Sequence, residues 1–374
     1  MEGHVVMTCE CEKRVFNFSA GPAVLPLSAL KEAQRDLVCY PGAGASVMEL
    51  SHRGKVIDGI IKTAEARLRR LLNIPDNYYV MFLQGGATTQ FSMVPVNFLG
   101  ENGADYLEQG TWSKKAAVEA RRVGNVNVVW SGKDSNYSTL PQDGDYKVRP
   151  EASYFHVTSN ETIHGIEFHR EPASYGVPMV CDSSSDFLSR PMDVTKYGLI
   201  YAGAQKNVGP AGVTLSIMSD DFYKRLIPDE KRPIMMNYKT HVENNSLYNT
   251  CPVFAIYMVG LVLKWLEEEI GGLDKMYELN KKKAALLYKA LDESNGFYAP
   301  HAAKADRSLM NVTWRLPSEE LEKKFAQEAE AAGMIGLKGH RSVGGIRASI
   351  YNAFPYEGVE RLVEFMADFQ RHNA

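Results

Sequence analysis

Two kinds of apolar pattern alternate along the first 220 residues. Short apolar runs rich in aromatic and β-branched residues predict strands, and segments with an apolar residue every three or four positions predict helices. Lys55–Leu72 has one apolar stripe and predicts a helix, whereas Tyr78–Leu83 has the composition of a strand. A helix is also predicted at 113–123, and strands are predicted at 104–107, 126–130, 154–157, 177–181, 199–201 and 213–218.

The alternation of strands and helices defines the expected fold class. Several of the strands are apolar throughout, which is typical of strands buried on both faces. We therefore predict an α/β fold with a mostly parallel sheet covered by helices. In such sheets ligands collect at the carboxyl ends of the strands.

The domain organisation changes near residue 270. Helical patterns at 254–270 and 273–291 are separated by Gly271-Gly272, a natural boundary. We predict a mobile tail at 1–15, a large domain at 16–270 and a smaller C-terminal α/β domain at 271–374, with segment 16–27 packing on the small domain. The small domain is predicted to contain strands at 310–316 and 345–351 and helices at 319–332 and 357–371.

Composition excludes several classes of protein. The chain has 374 residues, 45% of them hydrophobic, and its formal net charge of −3 provides no basic field for nucleic acid. We find no apolar stretch of membrane-spanning length and no signal-peptide pattern. Five scattered cysteines favour a reducing compartment, so we expect a cytoplasmic protein. Cys9 and Cys11, with His4, match no metal-binding spacing, and no metal is expected.

Lys206 is the first candidate for chemistry. It lies among small residues between two apolar runs, and no other charged residue occurs between Lys196 and Asp220. Burial would disfavour the ammonium and leave a nucleophilic amine, as in enzymes that form a Schiff base with a cofactor. A lysine at a strand end that simply reaches solvent is the alternative, and this segment alone favours it.

Two further motifs change that balance. Gly85-Gly86, between a predicted strand and a predicted helix, suits anion binding, although such turns are common in α/β proteins. Asp182 follows a predicted strand and is either a helix-capping residue or the partner of a buried cation. A phosphate cradle, a carboxylate and a lysine, in this order along the chain, are the three groups that pyridoxal phosphate requires.

Basic residues cluster in two loops, at 51–55 and 338–342, and Arg347 follows the second. Each loop contains a His-Arg pair, His52-Arg53 and His340-Arg341. Solvated surface charge is the ordinary interpretation. Because arginine binds carboxylate and phosphate through paired hydrogen bonds, the set also suggests a substrate with two anionic groups.

The chain resembles a known family from residue 16 onwards. The motifs that carry the resemblance are FNFSAGP (16–22), SVMELSHRG (46–54), NETIHG (160–165), AGAQKNVGP (202–210) and KGHRSVGGIRASIYN (338–352). They are similar to those of the phosphoserine aminotransferases, class V aminotransferases of the fold-type I pyridoxal-phosphate group. The resemblance implies amino transfer between L-glutamate and 3-phosphohydroxypyruvate, which gives O-phospho-L-serine and 2-oxoglutarate in L-serine biosynthesis.

The resemblance also implies roles for individual residues. Lys206 would form the Schiff base and move the proton, Asp182 would pair with the pyridine nitrogen, and Trp112 would stack on the ring. The other cofactor contacts would come from Thr162, Gln205 and the backbone amides of Ala87 and Thr88, with Asn249 and Thr250 from the partner of a homodimer. Arg347 would bind the α-carboxylate, and the second anionic group would be bound by His340, Arg341 and the partner's His52 and Arg53.

One departure from the family pattern concerns Thr88. Some relatives have arginine there, which helps to bind the substrate phosphate, so the two His-Arg loops are expected to carry this contact here. Alternatives to the predicted reaction are another class V enzyme acting on serine, alanine or glyoxylate, and a cysteine desulfurase. A cofactor-free Schiff-base lyase or a non-catalytic vitamin-binding or scaffold protein would be of a different class.

Overall fold

The computed structural model describes residues 14–374. Cys9, Cys11 and most of the predicted tail lie outside these residues, so the predictions made for them concern residues that are not described. The strands are β1 (Phe16–Asn17), β2 (Tyr78–Leu83), β3 (Ala104–Glu108), β4 (Val126–Ser131), β5 (Phe155–Thr158), β6 (Asn160–Glu161), β7 (Ile166–Glu167), β8 (Met179–Asp182), β9 (Leu199–Gly203), β10 (Thr214–Ser219), β11 (Ala299–Pro300), β12 (Asn311–Arg315), β13 (Met334–Ile335) and β14 (Ile346–Ser349). The α-helices are α1 (Leu27–Asp36), α2 (Lys55–Leu72), α3 (Gly86–Phe98), α4 (Thr111–Arg121), α5 (Asp220–Tyr223), α6 (Tyr238–Glu243), α7 (Val253–Lys264), α8 (Leu273–Asp292), α9 (Glu319–Ala331) and α10 (Tyr356–Asn373).

A seven-stranded sheet forms the centre of the larger part of the molecule. Its strand order is β2-β10-β9-β8-β5-β3-β4. Only β10 runs against the other six strands, since it pairs antiparallel with both β2 and β9 while the remaining pairs are parallel. The prediction of a mostly parallel, helix-covered sheet is confirmed.

Each face of this sheet is covered by its own apolar cluster. On one face, α2 and α7 bury residues such as Ile57, Leu68 and Val259 against the strands. On the other face, α3 and α4 contribute Phe91 and Ala117, among others. Strands buried on both sides read as continuous apolar runs, which is why β8, β9 and β10 could be located from the sequence.

The C-terminal part has a separate sheet and core. β11, β12 and β14 form an antiparallel sheet, and the short β1 pairs in parallel with β13 through Phe16 and Met334. Helix α8 contributes to both cores: its first turn places Leu273 and Met276 in the large-sheet cluster, and its second half places Leu287 in the C-terminal one. The domain boundary at residue 270 stays a prediction.

The differences from the predicted elements lie in short or small-residue segments. Helix α1 was not predicted, because its buried positions are Ala29, Ala33 and Asp36 rather than a stripe of large apolar residues. The antiparallel pair β6-β7 is too short to have a pattern. Helix α7 continues from Trp265 to Ile270 as a π-helix, so the predicted helix at 254–270 is present with altered geometry. Within the described range, no helix has the length and apolar character needed to cross a membrane.

Candidate active site

The three motifs found in the sequence meet at the carboxyl ends of the central strands. Gly85-Gly86 follows β2, Asp182 is the last residue of β8, and Lys206 lies in the turn after β9. Together with Trp112 they line a cavity of about 360 Å³. This volume lies within the range of small-molecule sites.

The amine of Lys206 is hydrogen-bonded inside this cavity. Its Nζ donates to Thr162 Oγ1 over 2.6 Å, and the side chain is half-buried between the strands that precede and follow the turn. Burial lowers the pKa of Lys206, while the carboxylates of Asp182 and Glu161 oppose that shift. The environment therefore makes it easier to convert the ammonium to the nucleophilic amine.

Asp182 is held in one orientation by its neighbours. Its Oδ1 accepts hydrogen bonds from the amide (3.0 Å) and the hydroxyl (2.6 Å) of Ser184. The Ser184 hydroxyl in turn accepts from the amide of Gly203 at the end of β9. Burial raises the pKa of Asp182, and the nearby positive charge of Lys206 opposes the rise. The carboxylate is thus fixed at the strand ends within the field of the lysine.

The Gly85-Gly86 turn presents the first turn of α3 to the same cavity. Both glycines have positive φ (+90° and +66°), and a Cβ on Gly85 would lie 2.0 Å from Thr89 Oγ1. The first amides of a helix have no partner within it, so those of Ala87 and Thr88 are available to an anion. Both residues line the cavity.

Trp112 forms one wall of the cavity, and Glu161, which had no predicted role, holds it in position. The ring centroid of Trp112 lies 5.2 Å from Lys206 Nζ. The buried carboxylate of Glu161 accepts hydrogen bonds from the backbone amides of Trp112 and Ser113 and from the Ser113 hydroxyl, at 2.7 to 3.1 Å. Glu161 therefore anchors the start of α4 and the tryptophan with it. In the sequence, the only sign of a role for Glu161 is its neighbour Thr162, which contacts Lys206.

A second, smaller cavity of about 110 Å³ is strongly basic. It contains two of the predicted substrate residues, Arg347 on β14 and His340, together with His164, His301 and Arg315, which the sequence did not single out. Burial lowers the pKa of Arg347 and of His340, and the charge of Arg347 lowers the pKa of His340 further. Burial also lowers the pKa of His164 to about 4. No acidic residue lines this cavity.

The remaining predicted residues divide into two groups. Gln205 lines the larger cavity beside Lys206. Arg341 is exposed next to His340, and His52 and Arg53 line neither of the two cavities. Asn249 and Thr250 lie at the surface, where both are hydrogen-bonded to Gln84. Within one chain, five of the predicted residues (His52, Arg53, Asn249, Thr250 and Arg341) therefore lie outside both cavities. Among residues 14–374, no group of three His, Cys, Asp or Glu side chains could hold a metal ion.

This arrangement of lysine, carboxylate, helix N-terminus and aromatic wall on a mostly parallel sheet corresponds to a family of transferases. The family model described as "Aminotransferase class-V" matches residues 15–362. The chain therefore belongs to the class V aminotransferases.

Individual relatives show which of the class V aminotransferases this chain resembles. The chain is 53% identical to the phosphoserine aminotransferases of Geobacillus kaustophilus and Laribacter hongkongensis, over 97% and 96% of its own length and 100% and 99% of theirs. The solved phosphoserine aminotransferase of Bacillus circulans subsp. alkalophilus superimposes with a TM-score of 0.94 at 51% identity, over 96% of this chain and 99% of that one. At this identity and coverage, the chain is a member of the phosphoserine aminotransferase family.

A structure titled as pyridoxal-phosphate-bound phosphoserine aminotransferase from Trichomonas vaginalis also matches, with a TM-score of 0.90 and 42% identity over 95% of this chain and 100% of that one. An aspartate aminotransferase from Thermus thermophilus, at 17% identity and a TM-score of 0.76, shares the fold alone. The fold is thus the fold-type I architecture expected from the sequence.

Proposed function

We propose that this protein transfers an amino group between L-glutamate and 3-phosphohydroxypyruvate, with pyridoxal 5'-phosphate as cofactor, and so makes O-phospho-L-serine and 2-oxoglutarate for L-serine biosynthesis. The observation that carries this proposal is the meeting of Lys206, Asp182 and the first turn of α3 in one cavity. The close identity to named phosphoserine aminotransferases supports the choice of substrates.

The cavity fits the proposed cofactor chemically. It offers a nucleophilic amine, a buried carboxylate at one end, free helix amides for a phosphate and an indole wall. The buried Nε1 of Trp112 also has no partner among the described residues. When bound, pyridoxal phosphate supplies an aldehyde carbon that accepts amino groups and a ring that takes up the electron pair left when the substrate Cα loses its proton.

The groups of the chain have distinct tasks in this proposal. Lys206 Nζ would hold the cofactor and would carry the substrate Cα proton, for which its lowered pKa suits it. Asp182 would keep the ring nitrogen protonated, and the Thr162 hydroxyl would donate a hydrogen bond to the phenolic oxygen. Trp112 stacks on the ring. Gln205 and the amides of Ala87 and Thr88 bind the cofactor phosphate.

The second cavity accounts for substrate selection. Arg347 binds the α-carboxylate that glutamate and phosphoserine share, while His340 and Arg341 bind the side-chain carboxylate or phosphate. A lining that contains arginine and histidine but no acid favours anionic side chains. Serine, alanine or glyoxylate would leave these cations without a partner.

The site is completed by a second copy of the chain. Asn249 and Thr250 then reach the cofactor phosphate of the partner, and His52 and Arg53 reach its substrate. Exposed apolar residues support this arrangement, because Val38 (82% exposed) and Met48 (60%) precede the His52 loop, and Tyr248 precedes Asn249. Such side chains near polar site residues are typical of a protein interface.

The half-reaction with O-phosphoserine tests the proposed function. Purified protein loaded with pyridoxal phosphate should show a visible absorption band that O-phosphoserine shifts to that of the amine form. Borohydride treatment before substrate should leave the cofactor mass on the peptide containing Lys206. Failure of the band to form after cofactor addition, or conversion by alanine as fast as by phosphoserine, would contradict the proposal.

A further inference from the structure

Helix α8 carries a completely buried lysine, although lysine side chains usually lie at the protein surface. Lys283 has 0% of its area exposed, and no ion pair in the described part of the chain includes it. Its Nζ instead faces four backbone carbonyl oxygens, those of Ile350 (3.0 Å), Tyr351 (2.6 Å), Asn352 (3.4 Å) and Phe354 (3.2 Å).

This geometry resembles the coordination of a bound cation. Several carbonyl oxygens converge on one positive centre and replace its water shell, as they do around a metal ion. Burial lowers the pKa of Lys283 to about 7, and in either protonation state the side chain has N–H groups to donate to these oxygens. The side chain thus fixes the path of residues 350–354 through hydrogen bonds to their carbonyl oxygens.

Residues 350–354 connect Arg347 and Lys206, the two groups that the proposed reaction must hold in a fixed relative position. It directly follows β14, which carries Arg347. The backbone amide of Asn352, within the segment, donates to Oδ1 of Asn207 over 2.9 Å, and Asn207 is the residue after Lys206. Arg347 otherwise lies in the C-terminal sheet, whereas Lys206 lies in the turn after β9 of the seven-stranded sheet.

The same helix face makes a second connection. Asn280, one turn before Lys283, donates to the side-chain oxygen of Asn352 (2.8 Å) and to the carbonyl of Ser189 (3.0 Å). The Asn352 amide group also donates to the carbonyl of Leu188. The amide, carbonyl and both side-chain atoms of Asn352 are all hydrogen-bonded, which leaves this residue one arrangement.

We infer that Lys283 is a positioning residue for amino transfer: by gathering the carbonyls of residues 350–354, it sets where Arg347 places the substrate carboxylate relative to Lys206 Nζ. The inference rests on the proposed function. It assigns Lys283 no contact with substrate or cofactor. Because Arg347 is the proposed contact of the substrate carboxylate, its displacement should weaken glutamate binding more than it slows the chemical step.

The test is a double-mutant cycle with the cofactor-loaded protein. Lys283→Met keeps the length of the side chain without its charge, and Lys282→Met, at an exposed position one residue earlier, is the matched control. We expect Lys283→Met to raise the KM for glutamate at least about tenfold, with a smaller change in kcat. In an Arg347→Ala background the same substitution should change kcat/KM less than about threefold, because the group that it positions is gone. Equal losses in both backgrounds would overturn the inference.

Two further measurements keep the result decisive. Amide hydrogen exchange should rise in residues 346–354 of Lys283→Met and stay unchanged in residues 199–206, whether or not the protein acts on phosphoserine. Unchanged exchange in 346–354 would overturn the inference independently of activity. If Lys283→Met does not fold, Asn280→Ala takes its place, with a several-fold rise in glutamate KM that again disappears in the Arg347→Ala background. Wild-type protein inactive on both substrates would instead refute the proposed function.

Discussion

The larger cavity around Lys206 and the smaller basic cavity are built in different ways. The larger is formed by strand ends, tight turns and the start of a helix, and its polar groups are held by hydrogen bonds within one chain. The smaller contains cations but no acid, and its predicted partners Arg341, His52 and Arg53 lie on loops at the surface or away from it. One chain therefore forms both cavities, but several residues proposed to contact the substrate side chain lie outside the smaller one.

Removal of Lys206 should give the largest effect and confine it to the first cavity. Lys206→Ala leaves the phosphate-binding amides and Asp182 in place, so pyridoxal phosphate should still bind, although without covalent attachment. Loss of both the attachment point and the proton carrier should lower kcat by at least about 10⁴-fold. Steady-state kinetics and the mass of borohydride-treated protein measure the two effects. Lys196→Ala, at an exposed lysine before β9, is the control. Covalent cofactor in the Lys206 variant would show that another amine is used.

Arg347 tests whether the second cavity binds the carboxylate common to both substrates. Arg347→Ala removes charge-assisted hydrogen bonds from a partly buried site, which contribute about 3 kcal/mol, so kcat/KM should fall about 100-fold. The loss should be similar for glutamate and phosphoserine. Arg361→Ala, at an exposed arginine on α10, should change neither value. A loss for only one substrate would place Arg347 at the side chain instead.

The exposed arginines should separate the side-chain contact from the carboxylate contact. Arg53→Ala and Arg341→Ala each remove a cation that water screens, so we expect the phosphoserine KM to rise only about two- to fivefold in each. The departure at Thr88 makes these loops the expected source of charge for the phosphate. Near-unchanged phosphoserine affinity in both variants would contradict this assignment, and an equal effect on alanine would show that it is not specific for anions.

The contrast between the cavities also explains what the sequence could reveal. Lys206, Asp182 and Gly85-Gly86 were found because each follows a strand of continuous apolar residues, and strand ends collect ligands. Glu161, His164 and Lys283 were not given roles, because their partners lie far along the chain. Glu161 holds the start of α4 about 50 positions earlier, and Lys283 binds carbonyls 67 to 71 positions later. No local pattern encodes such contacts. Contacts proposed to come from a second chain are even less accessible to a local sequence pattern.

A further prediction concerns stability, and it rests on a neutral histidine in the basic cavity. Burial, with the charges of His301 and His340, lowers the pKa of His164 to about 4, whereas an unfolded histidine titrates near 6.5. Between these values the unfolded chain binds a proton that the folded chain does not. The unfolding free energy should therefore fall as pH falls, by about 1.4 kcal/mol per pH unit from this residue.

Denaturant unfolding between pH 7 and pH 4.5 measures this contribution as a difference between proteins. His164→Gln should lose stability less steeply with falling pH than the wild type, because glutamine binds no proton in either state. Other buried histidines, such as His156, titrate equally in both proteins and cancel. His372→Gln, at the exposed end of α10, should retain the wild-type slope. Equal slopes for His164→Gln and wild type would show that the basic cavity admits a charged His164. Repulsion between positive groups would then not be a difference between this cavity and the one around Lys206.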